Sequence, residues 1–69
     1  MKNKVSELRK KSGLSQDMFA EKLGVSRQTV SSIEKGKYNP SLPLAMHIAE
    51  LLNKKVEDVF FLEDKDYKK

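Results

Sequence analysis

Residues 14–40, LSQDMFAEKLGVSRQTVSSIEKGKYNP, read as two short helices joined by a glycine-containing turn. Ser15 can accept a hydrogen bond from the free amides that open the first helix, and Ser26 can do the same for the second. Phe19, Ala20 and Leu23 fall on one face of the first; Val30 and Ile33 fall on one face of the second. Gly24 sits where the chain must reverse without a Cβ clash, and Val25 can drop into the corner between the helices. Left facing water on the second helix are Arg27, Gln28, Ser31, Ser32 and Lys35. That set holds the donors and acceptors that read base edges and phosphates in a major groove. The pattern predicts a helix-turn-helix over residues 15–35, with residues 27–35 as the helix that meets double-stranded DNA.

The rest of the chain narrows the function classes. Its 69 residues make one domain, too short for a catalytic cleft between lobes. With no cysteine, a disulfide framework and a thiolate metal site are both excluded. No apolar run approaches the ~20 residues needed to span a bilayer, and the start lacks an apolar signal core. The expectation is a cytoplasmic protein that touches no membrane. The formal net charge is +4, and its distribution is more telling than its size. Up to Lys37 the acids are Glu7, Asp17, Glu21 and Glu34, set against Lys2, Lys4, Arg9, Lys10, Lys11, Lys22, Arg27, Lys35 and Lys37. Acids gather instead near the end, at Glu57, Asp58, Glu63, Asp64 and Asp66. The half carrying the motif is the basic half, as phosphate binding requires.

Outward from the motif, residues 2–12 place Val5 and Leu8 on one face of a first helix that Gly13 ends. Gly36 stops the helix before it, and Asn39-Pro40 is turn chemistry. Ser41 caps a fourth helix running to about Leu52, with Pro43 in its first turn and Ala45, Ile48, Ala49 and Leu52 as its buried stripe. Residues 55–60 read as a short fifth helix whose Val56, Val59 and Phe60 close the core. Phe61 and Leu62 are either a short C-terminal strand or an apolar plug. The opening Met1-Lys2-Asn3-Lys4 is poor in β-formers, which argues against a strand partner for them. The expected fold is a compact all-α domain of five helices over residues 1–62, followed by a charged, frayed tail at 63–69. Its predicted core is Val5, Leu8, Phe19, Ala20, Leu23, Val25, Val30, Ile33, Ile48, Ala49, Leu52 and Phe60.

These residues give the chain a family resemblance. It resembles the lambda-repressor/Cro-type, or Xre-family, helix-turn-helix regulators, and most of all their small stand-alone members. The likeness runs from Val5 to about Phe60. It is carried by Leu8-Arg9, Leu14-Ser15-Gln16, Phe19-Ala20, Leu23-Gly24-Val25-Ser26, Ile33-Glu34, Gly36, Asn39-Pro40-Ser41, Ile48-Ala49 and Val59-Phe60. It implies a repressor acting as a two-fold dimer on a palindromic operator, with the third helix in the major groove. Carried over by position, Arg27, Gln28 and Ser32 read bases: Gln28 suits adenine N6/N7, and Arg27 suits guanine O6/N7 unless it holds a phosphate. Thr29 and Ser31 reach base or backbone. Gln16, Ser26, Lys35, Lys37, Tyr38 and Asn39 hold phosphates, and Gln16 also braces Gln28. Alone, Gln16 and Gln28 would read as exposed polar helix residues. Arg9 and Glu34 are implied to form a buried ion pair joining the first helix to the third.

Other residues invite and mostly fail a chemical reading. His47 has no neighbouring Cys and few carboxylates, so neither a metal site nor acid/base work is expected. Adjacent Glu57 and Asp58 do not share a helical face. The serines of the motif lack a base within it. No enzyme, metal, cofactor or small-molecule ligand is therefore implied. Leu44 and Leu51, one heptad apart beside the stripe of the fourth helix, could join Phe61 and Leu62 as the homodimer surface, or could simply finish the monomer core. An activator or antitoxin would use the same DNA-binding domain. A protein-interaction module that had lost DNA binding would also have lost the basic and amide side chains of the third helix, which Arg27, Gln28 and Lys35 argue against.

Overall fold

In the computed structural model, which describes residues 1–67, three serines open three of the helices. Ser15 Oγ accepts the Met18 amide at 3.1 Å, Ser26 Oγ accepts the Thr29 amide at 3.1 Å, and Ser41 Oγ accepts the Leu44 amide at 3.4 Å. Each such cap satisfies an amide that the helix itself leaves free, and contributes about 0.5–2 kcal/mol. The helices so started are α2 (Gln16–Leu23), α3 (Arg27–Glu34) and α4 (Leu42–Leu51); α1 (Val5–Lys11) and α5 (Val56–Val59) complete the set. Gly24 ends α2 in the left-handed region, at φ 74°, and the Val25 amide closes back onto the Ala20 carbonyl at 3.1 Å. A side chain at that position would be strained, so the turn between α2 and α3 needs its glycine.

All five helices meet in one core. It contains Val5, Phe19, Ala20, Leu23, Val30, Ile33, Ala45, Ile48, Ala49, Leu52, Val59 and Phe60. Leu8 and Val25, expected inside, are half-buried and pack against this cluster from its edge. Ala45 and Val59 are buried, as the stripe of the fourth helix and the apolar face of the fifth implied, whereas Val56 is half-buried. The first helix begins at Val5 rather than Lys2, because the residues before it are used otherwise.

That use corrects the sequence reading of the first residues. β1 (Lys2–Asn3) and β2 (Phe60–Phe61) form an antiparallel pair, with Lys2 opposite Phe61 and Asn3 opposite Phe60. Weak intrinsic β-preference is overridden by tertiary anchoring. The Asn3 side chain donates to the Ile33 carbonyl at 2.8 Å and accepts the Val5 amide at 3.0 Å. The Lys4 amide donates to Val59 O at 2.8 Å, and the Lys4 ammonium lies 5.5 Å from the centre of the Phe61 ring. Asn3 thus ties the end of α3 to the start of α1.

Residues Glu63 to Tyr67 do not fray. A 3₁₀ turn spans Asp64–Tyr67, and the Met1 amino group lies 3.3 Å from Glu63 Oε1 and 3.6 Å from Asp66 Oδ1. The Glu63 amide donates to Asp66 Oδ2 at 2.7 Å, and this bond above all holds the Asp66 carboxyl below the ordinary carboxylate range. Lys68 and Lys69, the remainder of the expected tail, lie outside the described residues.

Candidate nucleic-acid interface

The site is built on α3, whose inner face is fixed by burial of Val30 and Ile33. A 3.6-residue period then points Arg27, Gln28, Ser31 and Ser32 away from the core. Arg27 and Gln28 are exposed, and Ser31 and Ser32 are half-buried. Thr29 lies further round, where its hydroxyl is engaged with that of Ser26 at 2.9 Å. The Lys37 and Tyr38 amides both donate to the Ser32 carbonyl, at 3.0 and 3.3 Å. These bonds fold the loop onto the end of α3 and leave the side chains of Lys35, Lys37, Tyr38 and Asn39 exposed. Ser26, Gln28, Thr29, Ser32 and Tyr38 line one shallow depression, so the tyrosine borders the exposed face of α3.

Behind this face runs a chain of polar contacts from the interior. Arg9 Nε donates to Glu34 Oε2 at 2.6 Å, with the two side chains only 8% and 7% exposed. Its Nη2 reaches Glu34 Oε1 at 3.4 Å, and its Nη1 donates to the Leu14 carbonyl at 2.7 Å. Glu34 Oε1 also accepts Gln16 Nε2 at 2.9 Å, and Gln16 Oε1 accepts Arg27 Nε at 3.4 Å. Gln16 therefore braces Arg27 and is anchored on Glu34, where the resemblance implied Gln28 as its partner. The ion pair accounts for this: Arg9 holds Glu34 Oε2 closely and reaches Oε1 only at 3.4 Å, so the Gln16 amide supplies the closer donor to the second oxygen. Turning that amide toward Glu34 points its oxygen at the start of α3.

Two participants escaped the sequence reading. Asp17 Oδ1 lies 3.8 Å from Arg27 Nε, and Asn3 holds the last turn of α3 through Ile33. An acid in the first turn of a helix normally reads as a response to the helix dipole, so nothing local reveals the Asp17 contact.

Of the apolar surface residues, Leu44 and Leu51 pack against the core, and Phe61 is half-buried under Lys4. Leu62 stays 60% exposed. On α4 the most exposed apolar side chains are Leu42 and Met46, on the other flank of the buried stripe. No helix among the described residues is long and apolar enough to cross a membrane.

Comparison with known proteins agrees with this fold. YgzD of Bacillus subtilis, an uncharacterized HTH-type transcriptional regulator, is 54% identical over 66 residues, covering 96% of this chain and 100% of its own. The restriction-modification controller protein C.AhdI of Aeromonas hydrophila superposes with a TM-score of 0.73 at 34% identity, over 81% of this chain and 85% of its own. SinR, a master regulator for biofilm formation solved in complex with DNA, gives 0.69 at 33% identity, over 77% and 86%. The helix-turn-helix family model matches residues 5–59. This chain therefore belongs to the Xre-type helix-turn-helix family, whose members are transcriptional regulators and not enzymes.

Proposed function

We propose that the protein is a cytoplasmic transcriptional repressor that binds a palindromic operator in double-stranded DNA as a homodimer. The observation carrying this is the face of α3. Its reading side chains project outward while its opposite side is locked in the core, and groups suited to phosphates flank it on both sides. Arg27, Gln28 and Ser32 are assigned to base edges, with Ser31 and Thr29 on base or backbone. Gln16, Ser26, Lys35, Lys37, Tyr38 and Asn39 are assigned to phosphates, and the positive end of α2 beneath Gln16 favours the same charge. SinR, solved on DNA, supports the reading by its likeness of fold. Repression needs only that the bound protein occupy its site.

The size of α3 supports a dimer. Its eight residues span ~12 Å at about 1.5 Å per residue, which covers only three or four base pairs. Two copies double the sequence read, with their α3 helices in successive major grooves about 34–36 Å apart. The proposed contact surface comprises Leu44, Leu51, Phe61 and Leu62, of which Leu62 can be altered without touching the core. Leu62→Glu is expected to leave the melting curve in place and shift sedimentation toward monomer. A parent that sediments as a monomer at tens of micromolar and binds a lone half-site would end the dimer proposal.

Selection of DNA from a random pool tests the whole reading. An enriched two-fold symmetric sequence is expected, with affinity falling steeply in salt at a slope of about −0.9 per neutralised phosphate. Gln28→Ala should cost about 1–3 kcal/mol on that sequence and relax preference at one base pair in each half. Unchanged selected sequences for Gln28→Ala and Arg27→Ala would move the reading surface off α3.

A further inference from the structure

The contacts of Arg27 are one-sided. Nε donates to Gln16 Oε1 at 3.4 Å and also lies 3.8 Å from Asp17 Oδ1. Among the described residues the terminal Nη1–Nη2 edge of the guanidinium makes no hydrogen bond. That edge is the fork that matches the O6 and N7 of guanine, and the Nε side is the one a bracing acceptor can take without blocking it. Gln16 is itself fixed, through Glu34, to the buried Arg9. Asp17, in the first turn of α2, adds a negative charge beside Arg27 that competes with a phosphate for this one side chain.

From this placement we infer that Asp17 is a specificity-determining residue. Together with Gln16 it holds Arg27 by Nε, aims the free fork at a guanine and competes with the backbone phosphate for the same side chain. The inference rests on the proposal that Arg27 meets a base. Asp17 gives up some general attraction to DNA in return for discrimination, which is how an unfavourable term against wrong partners creates specificity. An exposed pair of this kind is weak, so its signature is a change in preference rather than a loss of fold.

Asp17→Asn keeps the shape and removes the charge. In the free protein, the Arg27 Nε–H resonance in a ¹⁵N spectrum should move and its proton should exchange faster. On DNA, the variant should bind an unrelated duplex about two- to fivefold more tightly and lose preference at the pair read by Arg27. Preference at the pair read by Gln28 should stay. Asp17→Glu, which keeps the carboxylate, should restore the parent's preference. An unmoved Nε–H signal, or equal tightening on every sequence with the selected bases unchanged, overturns the assignment. A parent that enriches no sequence overturns the DNA reading and this role with it, and is recognised because the parent, not the variant, fails.

Discussion

A Phe19→Ala chain is expected to lose about 3–5 kcal/mol of stability, enough to threaten the folded state of a domain this small. Phe19 is 0% exposed and is the largest of the fully buried side chains. On α2 it lines one small void with Val5, Leu23, Val30, Ile33 and Ile48, residues of α1, α2, α3 and α4, and that void has no room for water. Truncation removes the transfer energy of the ring and leaves a cavity that four converging helices cannot collapse into. A domain of this length holds in total only about 3–10 kcal/mol, at about 0.05–0.15 kcal/mol per residue. The loss is therefore comparable with the whole. Circular dichroism against temperature and urea measures it. A variant that melts within a degree or two of the parent would remove Phe19 from the centre of the packing. Phe19→Leu, which keeps most of the volume, should fall between the two.

The parts of the fold that were legible in the sequence share a physical property: their signals are local. A serine cap and the amide it serves are three residues apart, as in Ser15 and Met18 or Ser26 and Thr29. The apolar stripes repeat within two turns, and Gly24 announces its own backbone conformation. Hence α2, α3 and their turn could be placed from residues 14–40 alone, and α4 from Ser41 onward. What was not legible joins residues far apart in the chain. Asn3 reaches Ile33 across 30 positions, and the β1–β2 pair joins the two ends of the described chain. No periodicity encodes such a contact; a short C-terminal strand was one of two readings of Phe61-Leu62, but propensity spoke against its partner among the first residues. Asn53 shows a smaller failure of the same kind. It takes the left-handed conformation after α4, at φ 56°, where glycine would have been the readable sign.

The site divides in the same way. Which side chains face outward on α3 followed from the apolar positions of Val30 and Ile33. How those side chains are held did not, because the partner of Gln16 depends on where a buried carboxylate lacks a donor. Glu34 is 18 residues from Gln16 and 25 from Arg9. Family resemblance pointed to the ion pair, whereas its extension through Gln16 to Arg27 emerges only from the folded arrangement. The heptad spacing of Leu44 and Leu51 illustrates the opposite hazard. Spacing identified a common flank of α4, but the packing of neighbouring elements decided how much of that flank is covered.

Arg9→Ala is expected to be as damaging as the loss of Phe19, for a different reason. The guanidinium donates to both oxygens of Glu34 and to the Leu14 carbonyl, and among the described residues no buried side-chain nitrogen or oxygen lacks a partner. Removing it leaves the Glu34 carboxylate, 7% exposed, with Gln16 as its remaining side-chain donor. An uncompensated buried charge of this kind costs about 3–5 kcal/mol. The pair as a whole contributes much less than that, because each ion was desolvated to form it. Replacing both members by apolar residues of similar volume, Arg9→Met with Glu34→Leu, should therefore recover most of the stability lost in Arg9→Ala. The double variant separates two roles that the single one confounds. It restores packing between α1 and α3 but removes the acceptor that orients Gln16, and with it the brace on Arg27. Its melting temperature should approach the parent's while its affinity for the selected DNA stays reduced. Parent-like melting of Arg9→Ala would show that the ion pair is solvated enough to be dispensable. Parent-like DNA affinity in a stable double variant would show that Gln16 finds its orientation without Glu34.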